Sequence, residues 1–112
     1  MELPKDGSLL RIFIGESDRH AGMLLYEWIV RTAREHGLAG ATVLRGVEGF
    51  GARSRVRTAK ILDLSTDLPI VVEIVDTAEK IERFFPVIDG AIGDGLATME
   101  KVQIRFYRSG SN

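Results

Sequence analysis

Two short glycine motifs contain the residues of this sequence whose types and spacing best suit ligand binding. Gly49-Phe50-Gly51 directly follows a segment of alternating apolar residues, and Gly93-Asp94-Gly95 directly precedes another. Glycine lets the backbone turn tightly and exposes its N–H groups, which together can bind an anion such as phosphate. Because glycine turns without a ligand are common, the spacing leaves both phosphate binding and a plain turn open.

A basic segment follows the first glycine motif. Between Gly51 and Lys60 the sequence contains four cations and no acid. Arg53, Arg55 and Arg57 stand at alternate positions, so they would project to one side of an extended segment and suit a phosphate or an acidic partner. The connection continues to about residue 67, and loops of that length are usually functional or disordered. It contains no aromatic residue for base stacking, so we do not expect it to read a nucleic-acid sequence.

The sequence gives little support for a catalytic or a metal-binding site. Ser17, Asp18 and His20 lie close together in the sequence, but a catalytic triad needs side chains that converge from separate elements. We interpret Ser17 or Asp18 as a turn or helix-start residue. His20 and His36, without any cysteine, make a poor metal constellation. The sequence therefore predicts neither a catalytic residue nor a metal site.

Composition narrows the class of protein further. The chain has 112 residues, enough for one domain with a core, and its 15 basic and 16 acidic residues give a net charge of −1. Bulk charge thus gives no reason to expect a nucleic-acid partner. The absence of cysteine excludes disulfides, thiolate metal sites and cysteine nucleophiles. The sequence shows no signal-peptide pattern and no run of about 18 apolar residues, so we expect a cytoplasmic protein.

Periodicity predicts an α+β fold of the ferredoxin-like type. Period-two alternation predicts four strands, and period-3.6 stripes predict two helices, the second starting near Asp76-Thr77. The predicted strands are Leu9–Ile14, Ala41–Val47, Leu68–Val75 and Thr98–Tyr107. The order βαββαβ indicates a four-stranded antiparallel sheet with both helices on one face. We expect one domain over 1–112 with its core at about 9–107, a flexible loop at about 51–67 and a frayed tail at 108–112.

The sheet face without helices is expected to be unusually apolar for a solvent-exposed surface. The residues assigned to it are Leu9, Phe13, Val43, Val47, Val71 and Val75 with Arg11, Arg45, Glu73 and Arg105. Arginines and a glutamate among valines suggest an interface with paired charges, and large apolar patches usually mark interaction sites. We therefore favour oligomerisation through this face, with a merely apolar outer face as the alternative.

In order and spacing, these motifs resemble those of the PII signal-transduction proteins, and in particular the short PII-like family called domain of unknown function 190. The resemblance extends from about Leu9 to Tyr107. The segments that carry it are Ile14–Arg19, Gly37–Val43, Val47–Gly51, Ser54–Val56, Leu64–Val75 and Gly90–Gly95. Several ordered motifs together are more specific than one glycine pattern.

The resemblance implies a homotrimer whose open sheet faces turn toward the three-fold axis, with an adenine nucleotide in each cleft between subunits. It implies that Thr42 lies near the adenine and that Gly49-Phe50-Gly51 begins a long loop, the T-loop. By the same resemblance, Gly93-Asp94-Gly95 supplies backbone donors to the phosphates. The long loop would respond to the bound nucleotide and then bind or release an enzyme, a membrane transporter or a channel.

The sequence departs from the PII pattern at three positions. Ala52, Ala91 and Leu96 stand where PII proteins usually carry basic residues that face the phosphates. Each lost charge-assisted hydrogen bond is worth about 1.5–3 kcal/mol, so ATP should bind weakly. Either the site prefers AMP, ADP or another less charged adenine ligand, or Arg53, Arg55 or Arg105 replaces the lost cations.

The sequence thus favours a non-enzymatic regulator with an adenine nucleotide as effector and no required cofactor. Its nucleotide-binding residues would be the two glycine motifs with Thr42 and Arg105. The partner-binding loop would present Arg53, Arg55, Arg57 and Lys60. The alternative is a structural or adaptor trimer whose nucleotide site has decayed. A hydrolase of a small phosphorylated substrate is the third reading, and no base–nucleophile pair supports it.

Overall fold

The computed structural model describes residues 3–51, 56–58 and 67–110. The strands are β1 Asp6–Gly15, β2 Arg19–His20, β3 Met23–Leu24, β4 Gly40–Arg45, β5 Glu48–Gly49, β6 Arg57–Thr58, β7 Pro69–Asp76 and β8 Leu96–Gln103, and the helices are α1 Leu25–Glu35 and α2 Ala78–Asp89. The main sheet has the order β4-β7-β1-β8 with every pair antiparallel. This arrangement confirms the predicted ferredoxin-like α+β fold.

The core lies between the sheet and the two helices. Alternate residues of the central strands β1 and β7 point toward the helices and are buried, as their period-two pattern predicts. The buried side chains are Leu10, Ile12 and Ile14 of β1, Ile70, Val72 and Ile74 of β7, Leu25, Ile29 and Ala33 of α1, and Ile81, Phe84 and Ile88 of α2. Both helices therefore cover the same face of the sheet.

Local signals define the ends of both helices. The Oγ1 of Thr77 accepts a hydrogen bond from the Lys80 N–H at 3.2 Å, so the predicted cap of α2 is confirmed. Gly37, just beyond α1, has φ of +74°, a conformation that favours glycine at a helix end. The fully buried Asp76 carboxylate accepts the Ala39 N–H at 2.8 Å and the Thr77 N–H at 2.6 Å. It thereby joins the start of β4 to the start of α2.

The prediction for the faces of β4 was wrong. Thr42 pairs with Glu73 and Leu44 with Val71, which puts Thr42 and Leu44 on the helix-free face. Val43 instead packs against the core, and Arg45 is on the same side of the strand. Both alternating sets contain apolar residues, so the pattern could not choose between them; the register with β7 decides. Val47 lies beyond the end of the strand.

The predicted extent of the last strand was also wrong, because β8 ends at Gln103. The Ile104 side chain packs directly on Gly7, where an added Cβ would lie 2.7 Å from the Ile104 Cδ1. The Tyr107 hydroxyl then donates to the Ala39 carbonyl at 2.8 Å. Residues 104–107 therefore cross the end of the sheet from β8 toward β4. Consequently Arg105 is not a strand residue on the helix-free face.

A small hairpin, formed by β2 and β3, lies between β1 and α1. Arg19 pairs with Leu24 and His20 with Met23. Ala21 and Gly22 have φ of +51° and +79°, as in the turns that best match the twist of a hairpin. This hairpin leads directly into α1. Within the described parts of the chain, no helix is long and apolar enough to cross a membrane.

Candidate functional site

A pocket of about 270 Å³ brings the two glycine motifs together. Its lining includes Gly49, Phe50 and Gly51 from one motif and Asp94 and Gly95 from the other. The motifs meet because β1 and β7 are neighbours: Gly15 at the end of β1 pairs with Pro69 at the start of β7. The first motif packs beside Pro69, and the second packs beside the end of β1. The pocket therefore lies at one end of the main sheet.

The motif glycines have two different physical roles. An added Cβ on Gly95 would lie 2.8 Å from the Phe13 carbonyl oxygen, and one on Gly49 would lie 3.3 Å from the Pro69 ring. At Gly51 and Gly93 an added Cβ would meet no atom of the described residues within 4 Å. None of these four glycines has a positive φ. A left-handed backbone conformation is therefore not the reason for glycine at these positions. Gly49 and Gly95 permit close packing, whereas no described atom crowds the Cβ positions of Gly51 and Gly93.

The charged residues in the described lining of the pocket are all acidic. The lining includes Asp18, Glu48 and Asp94 but no lysine or arginine among the residues that the structure describes. The Asp18 Oδ2 accepts the Gly15 N–H at 2.9 Å, so this carboxylate also shapes the pocket wall. A polyanionic ligand in this pocket would need cations from outside this set of residues.

A four-residue turn, Gly15-Glu16-Ser17-Asp18, lies between the pocket and the stems of the long connection; we call it the 15–18 turn. The Glu16 carboxylate pairs through Oε2 with the Arg45 guanidinium and accepts the Leu68 N–H on Oε1 at 3.3 Å. The Ser17 N–H donates to the Asp67 Oδ1 at 3.0 Å. Sequence reasoning missed this role of Glu16, because its partners lie far away along the chain and leave no local signal.

The other predicted nucleotide-binding residues lie outside the pocket lining. Thr42 is exposed on the helix-free face beside Glu73, and Gly93 is in the turn of the second motif without lining the pocket. Arg105 lies near Lys5 at the opposite end of the sheet. Since β1 has 10 residues, the two ends are about 30 Å apart. One chain therefore does not bring its own Arg105 to its own pocket.

Most of the predicted partner-binding loop lies outside the described residues. Arg53, Arg55 and Lys60 belong to that part of the chain. Arg57 is described through its backbone in β6, where it pairs with Gly49 of β5. The two short strands form a separate two-stranded sheet, and Glu48 and Gly49 of β5 line the pocket.

The helix-free sheet surface, called here the open face, mixes apolar side chains with paired charges. Its exposed apolar members include Phe13, Leu44 and Leu96, with 37%, 48% and 59% of their surface accessible. At its centre Arg11 Nε donates to Glu73 Oε2 at 2.8 Å, and its Nη1 donates to Glu100. The hydrogen bond to Glu73, supported by Glu100, raises the pKa of Arg11 above its ordinary range. Arg11 is therefore a permanent cation.

The pocket and the open face are continuous. Phe13 and Val71 line the pocket, and the same two side chains lie opposite each other on the open face. Any molecule that covered this end of the open face would also reach the pocket. This continuity gives the pocket a second, intermolecular wall if the face is an interface.

The two histidines have structural contacts. The His20 ring lies edge-on to Trp28 with 4.4 Å between the ring centroids. The His36 Nδ1 is 2.9 Å from the Thr32 carbonyl oxygen, and its ring packs against Phe84. The described residues contain no group of three acidic or histidine side chains arranged to hold a metal ion.

Comparison with known sequences identifies relatives over most of the chain. The family model DUF190, described as "Uncharacterized ACR", matches residues 7–104. A UPF0166 protein of Aquifex aeolicus (strain VF5) is 43% identical over 96 residues, which cover 86% of this chain and 90% of that protein. A UPF0166 protein of Methanocaldococcus jannaschii is 38% identical over 78 residues, covering 70% and 71% of the two chains.

Solved structures of PII-like proteins share the fold. CPII from Thiomonas intermedia K12, bound to ADP and bicarbonate, superposes with a TM-score of 0.66 at 14% identity over 88% of both chains. A PII-like protein from Thermus thermophilus gives a TM-score of 0.63 at 19% identity, covering 88% of this chain and 89% of that one. At such identities the likeness concerns the fold, and the ligands named belong to CPII.

Proposed function

Because the chain belongs to the DUF190 family and has the fold of PII-like proteins, we propose that it is a non-enzymatic PII-like signalling protein with an adenine nucleotide as its effector. The observation that carries the proposal is the pocket in which both glycine motifs meet. CPII, a protein of the same fold, binds ADP, which supports a nucleotide as the class of ligand. Since adenine nucleotides are abundant in the cytoplasm, we propose that the protein acts there.

Backbone donors near Gly51 and in the second motif would bind the phosphates. Gly51 and Gly93 have no atom within 4 Å of an added Cβ, so a ligand can approach the backbone there without displacing a side chain. Gly95 brings the second motif against the end of β1, which fixes the position of the turn relative to the pocket. Thr42, further along the open face, would contribute to the adenine end of the site.

The charge of the pocket favours AMP or ADP over ATP. The carboxylates of Asp18 and Glu48 belong to the described lining, and Ala91 and Leu96 stand on either side of the second motif where PII proteins usually carry basic residues. Each further phosphate adds negative charge near these acids, and like charges at close range are unfavourable in a partly desolvated site. We therefore expect affinity to fall from ADP to ATP.

A homotrimer would complete the site. The open face exposes Phe13, Leu44 and Leu96, and burying apolar surface contributes about 25 cal/mol per Å². Because the pocket and the open face are continuous at Phe13 and Val71, a neighbouring copy on this face would close the pocket. Arg105, about 30 Å from the pocket of its own chain, would serve the pocket of a neighbour.

The basic segment would bind the partner protein. Arg53, Arg55, Arg57 and Lys60 follow the first motif without an intervening acid, and they begin beside the pocket at Gly51. Occupancy of the pocket would change the presentation of these cations to an acidic surface on a partner, such as an enzyme or a membrane transporter.

The direct test is calorimetric titration and thermal melting with AMP, ADP, ATP and cyclic AMP. We expect micromolar to millimolar binding of AMP or ADP and weaker binding of ATP. Gly51→Val should reduce the affinity at least tenfold, because its side chain would occupy the space that the ligand approaches. Gly110→Val is the matched control, since Gly110 also has no atom within 4 Å of an added Cβ. No response to any nucleotide at millimolar concentration would contradict the nucleotide proposal.

The alternative, favoured by Ala52, Ala91 and Leu96, is an adaptor trimer whose nucleotide site has decayed. It predicts the same oligomer, no binding of any of the four nucleotides, and normal partner binding by Gly51→Val. Affinity purification with wild type and with Gly51→Val would distinguish the two functions. Equal recovery of the partner by both proteins would favour the adaptor.

A further inference from the structure

We propose that Glu16 is a positioning residue that couples the pocket to both stems of the connection between β4 and β7. The inference rests on the proposed function, since it concerns how occupancy of the same pocket is transmitted. It assigns a regulatory role to the 15–18 turn, a segment without catalytic or metal-binding character.

The 15–18 turn has one pair of residues in the pocket and another pair on the stems. Gly15 and Asp18 line the pocket. Glu16 and Ser17 lie between them and contact the chain on both sides of the long connection. A ligand that touches the pocket wall therefore acts on the same short turn that holds the stems.

Glu16 contacts both stems with one carboxylate. Its Oε2 pairs with Arg45, the last residue of β4, and its Oε1 accepts the Leu68 N–H immediately before β7. The Glu16 N–H also donates to the Leu68 carbonyl at 2.9 Å. The Glu16 side chain is 12% exposed, whereas that of Arg45 is 60% exposed. The Glu16 side chain is thus largely shielded from solvent, whereas most of the Arg45 side chain is exposed.

The turn is internally braced, so a displacement at one end reaches the other. The Asp18 carboxylate accepts the Gly15 N–H at 2.9 Å, and the Asp18 N–H donates to the Gly15 carbonyl at 3.2 Å. The Asp18 carbonyl in turn accepts the Leu25 N–H at 2.7 Å, which anchors the turn to the start of α1. Movement of Gly15 or Asp18 around a ligand would therefore change the position of Glu16 relative to Arg45 and Leu68.

The experiment measures ADP-dependent tryptic cleavage of the basic connection. Trypsin cuts after Arg53, Arg55, Arg57 and Lys60, and mass spectrometry resolves the sites. For the wild type we expect ADP to change the cleavage rate at least fivefold, the usual lower range of coupling between two sites. Glu16→Gln keeps the shape of the side chain and an oxygen for Leu68 but removes the charge that pairs with Arg45. In the Glu16→Gln variant, the cleavage rates with and without ADP should differ by less than twofold.

The controls separate coupling from simple destabilisation. Glu82→Gln on the exposed side of α2 should keep the wild-type ratio. Arg45→Gln, at a largely exposed side chain, should reproduce the effect of Glu16→Gln, and the double variant should add nothing further. A merely structural role would raise cleavage equally with and without ADP and leave the ratio unchanged, and that result would overturn the proposal.

Failure of the proposed function gives a different result. If the wild type binds no nucleotide, the coupling role fails with the proposed function, and the digestion without ligand tests only whether Glu16 holds the stems: Glu16→Gln and Arg45→Gln should then each raise the cleavage rate at least threefold over wild type and Glu82→Gln. Unchanged cleavage in both variants would refute the role of Glu16 independently of any ligand.

Discussion

The Phe13 carbonyl oxygen lies 2.8 Å from the position that a Cβ on Gly95 would occupy. This closeness means that packing alone requires glycine at the last position of the second motif. Gly93, two residues earlier, has no atom within 4 Å of an added Cβ. A substitution at Gly95 would therefore lower stability and ligand binding together, so the two effects could not be separated. Substitutions at Gly51 and Gly93 are the better test of ligand binding.

We predict that Gly95→Ala lowers the free energy of unfolding by about 1–3 kcal/mol, the usual range for overpacking. The extra methyl group would push against a backbone carbonyl of β1, which cannot move without disturbing the sheet. Urea denaturation followed by circular dichroism measures the effect. Gly93→Ala should stay within about 0.5 kcal/mol of wild type, and equal losses at the two positions would contradict the packing argument.

We predict that Leu44→Lys dissociates the proposed trimer. Leu44 lies on the open face and is 48% exposed in the single chain, so a neighbouring copy would bury the new charge. Val87→Lys on α2 is the matched control, because Val87 is 42% exposed but lies on a helix away from that face. Sedimentation equilibrium should give a trimer for wild type and Val87→Lys and a smaller species for Leu44→Lys.

A wild-type mass equal to one 12.4 kDa chain would refute the trimer and, with it, the shared site. Dissociation by Val87→Lys together with an intact Leu44→Lys oligomer would instead indicate that the helices form the interface.

We predict that Arg105 serves the pocket of a neighbouring copy. Arg105→Ala and Gly51→Val should each weaken ADP binding in homotrimers. When the two variants are refolded together as mixed trimers, about a quarter of the clefts should combine an intact Gly51 with an intact Arg105 and bind ADP normally. Calorimetry of the mixture should therefore show a fraction of tight sites. Absence of such sites, despite mixing verified by mass spectrometry, would contradict a shared cleft.

We predict that Asp76→Ala lowers the free energy of unfolding by about 3 kcal/mol, since it leaves two backbone donors without their acceptor. The fully buried carboxylate accepts from Ala39 and Thr77 and lies 3.4 Å from the Lys80 ammonium. Asp89→Ala, at an exposed position in α2, should change stability by no more than about 0.5 kcal/mol. Urea midpoints for the two variants test the difference, and similar values would show that this junction is unimportant.

The sequence was sufficient for the main layers of the fold. β1 and β7 each have one clearly more apolar set of alternating residues, and these sets are buried. The capping Thr77 and the left-handed Gly37 are local devices, so their positions could be recognised without tertiary information. The convergence of the glycine motifs follows from the strand order, which the βαββαβ pattern specifies.

The edges of the sheet were less predictable. In β4 both Val43 and Leu44 are apolar, and only the pairing with β7 decides which one faces the helices. In β8 the alternation of Val102, Ile104 and Phe106 continues past the strand end at Gln103, so the pattern does not reveal where the strand stops. The role of Glu16 depends on partners that are distant in the sequence, so no local pattern could reveal it.

The stems of the long connection are hydrogen-bonded to the body of the protein. Gly46 donates to the Pro69 carbonyl at 2.7 Å, and Ser17 donates to Asp67 at 3.0 Å. Doubling the length of a closed loop costs only about 0.6 kcal/mol. Foreign peptides inserted between residues 58 and 67 should therefore be tolerated, which makes this small protein a scaffold for displaying grafted epitopes.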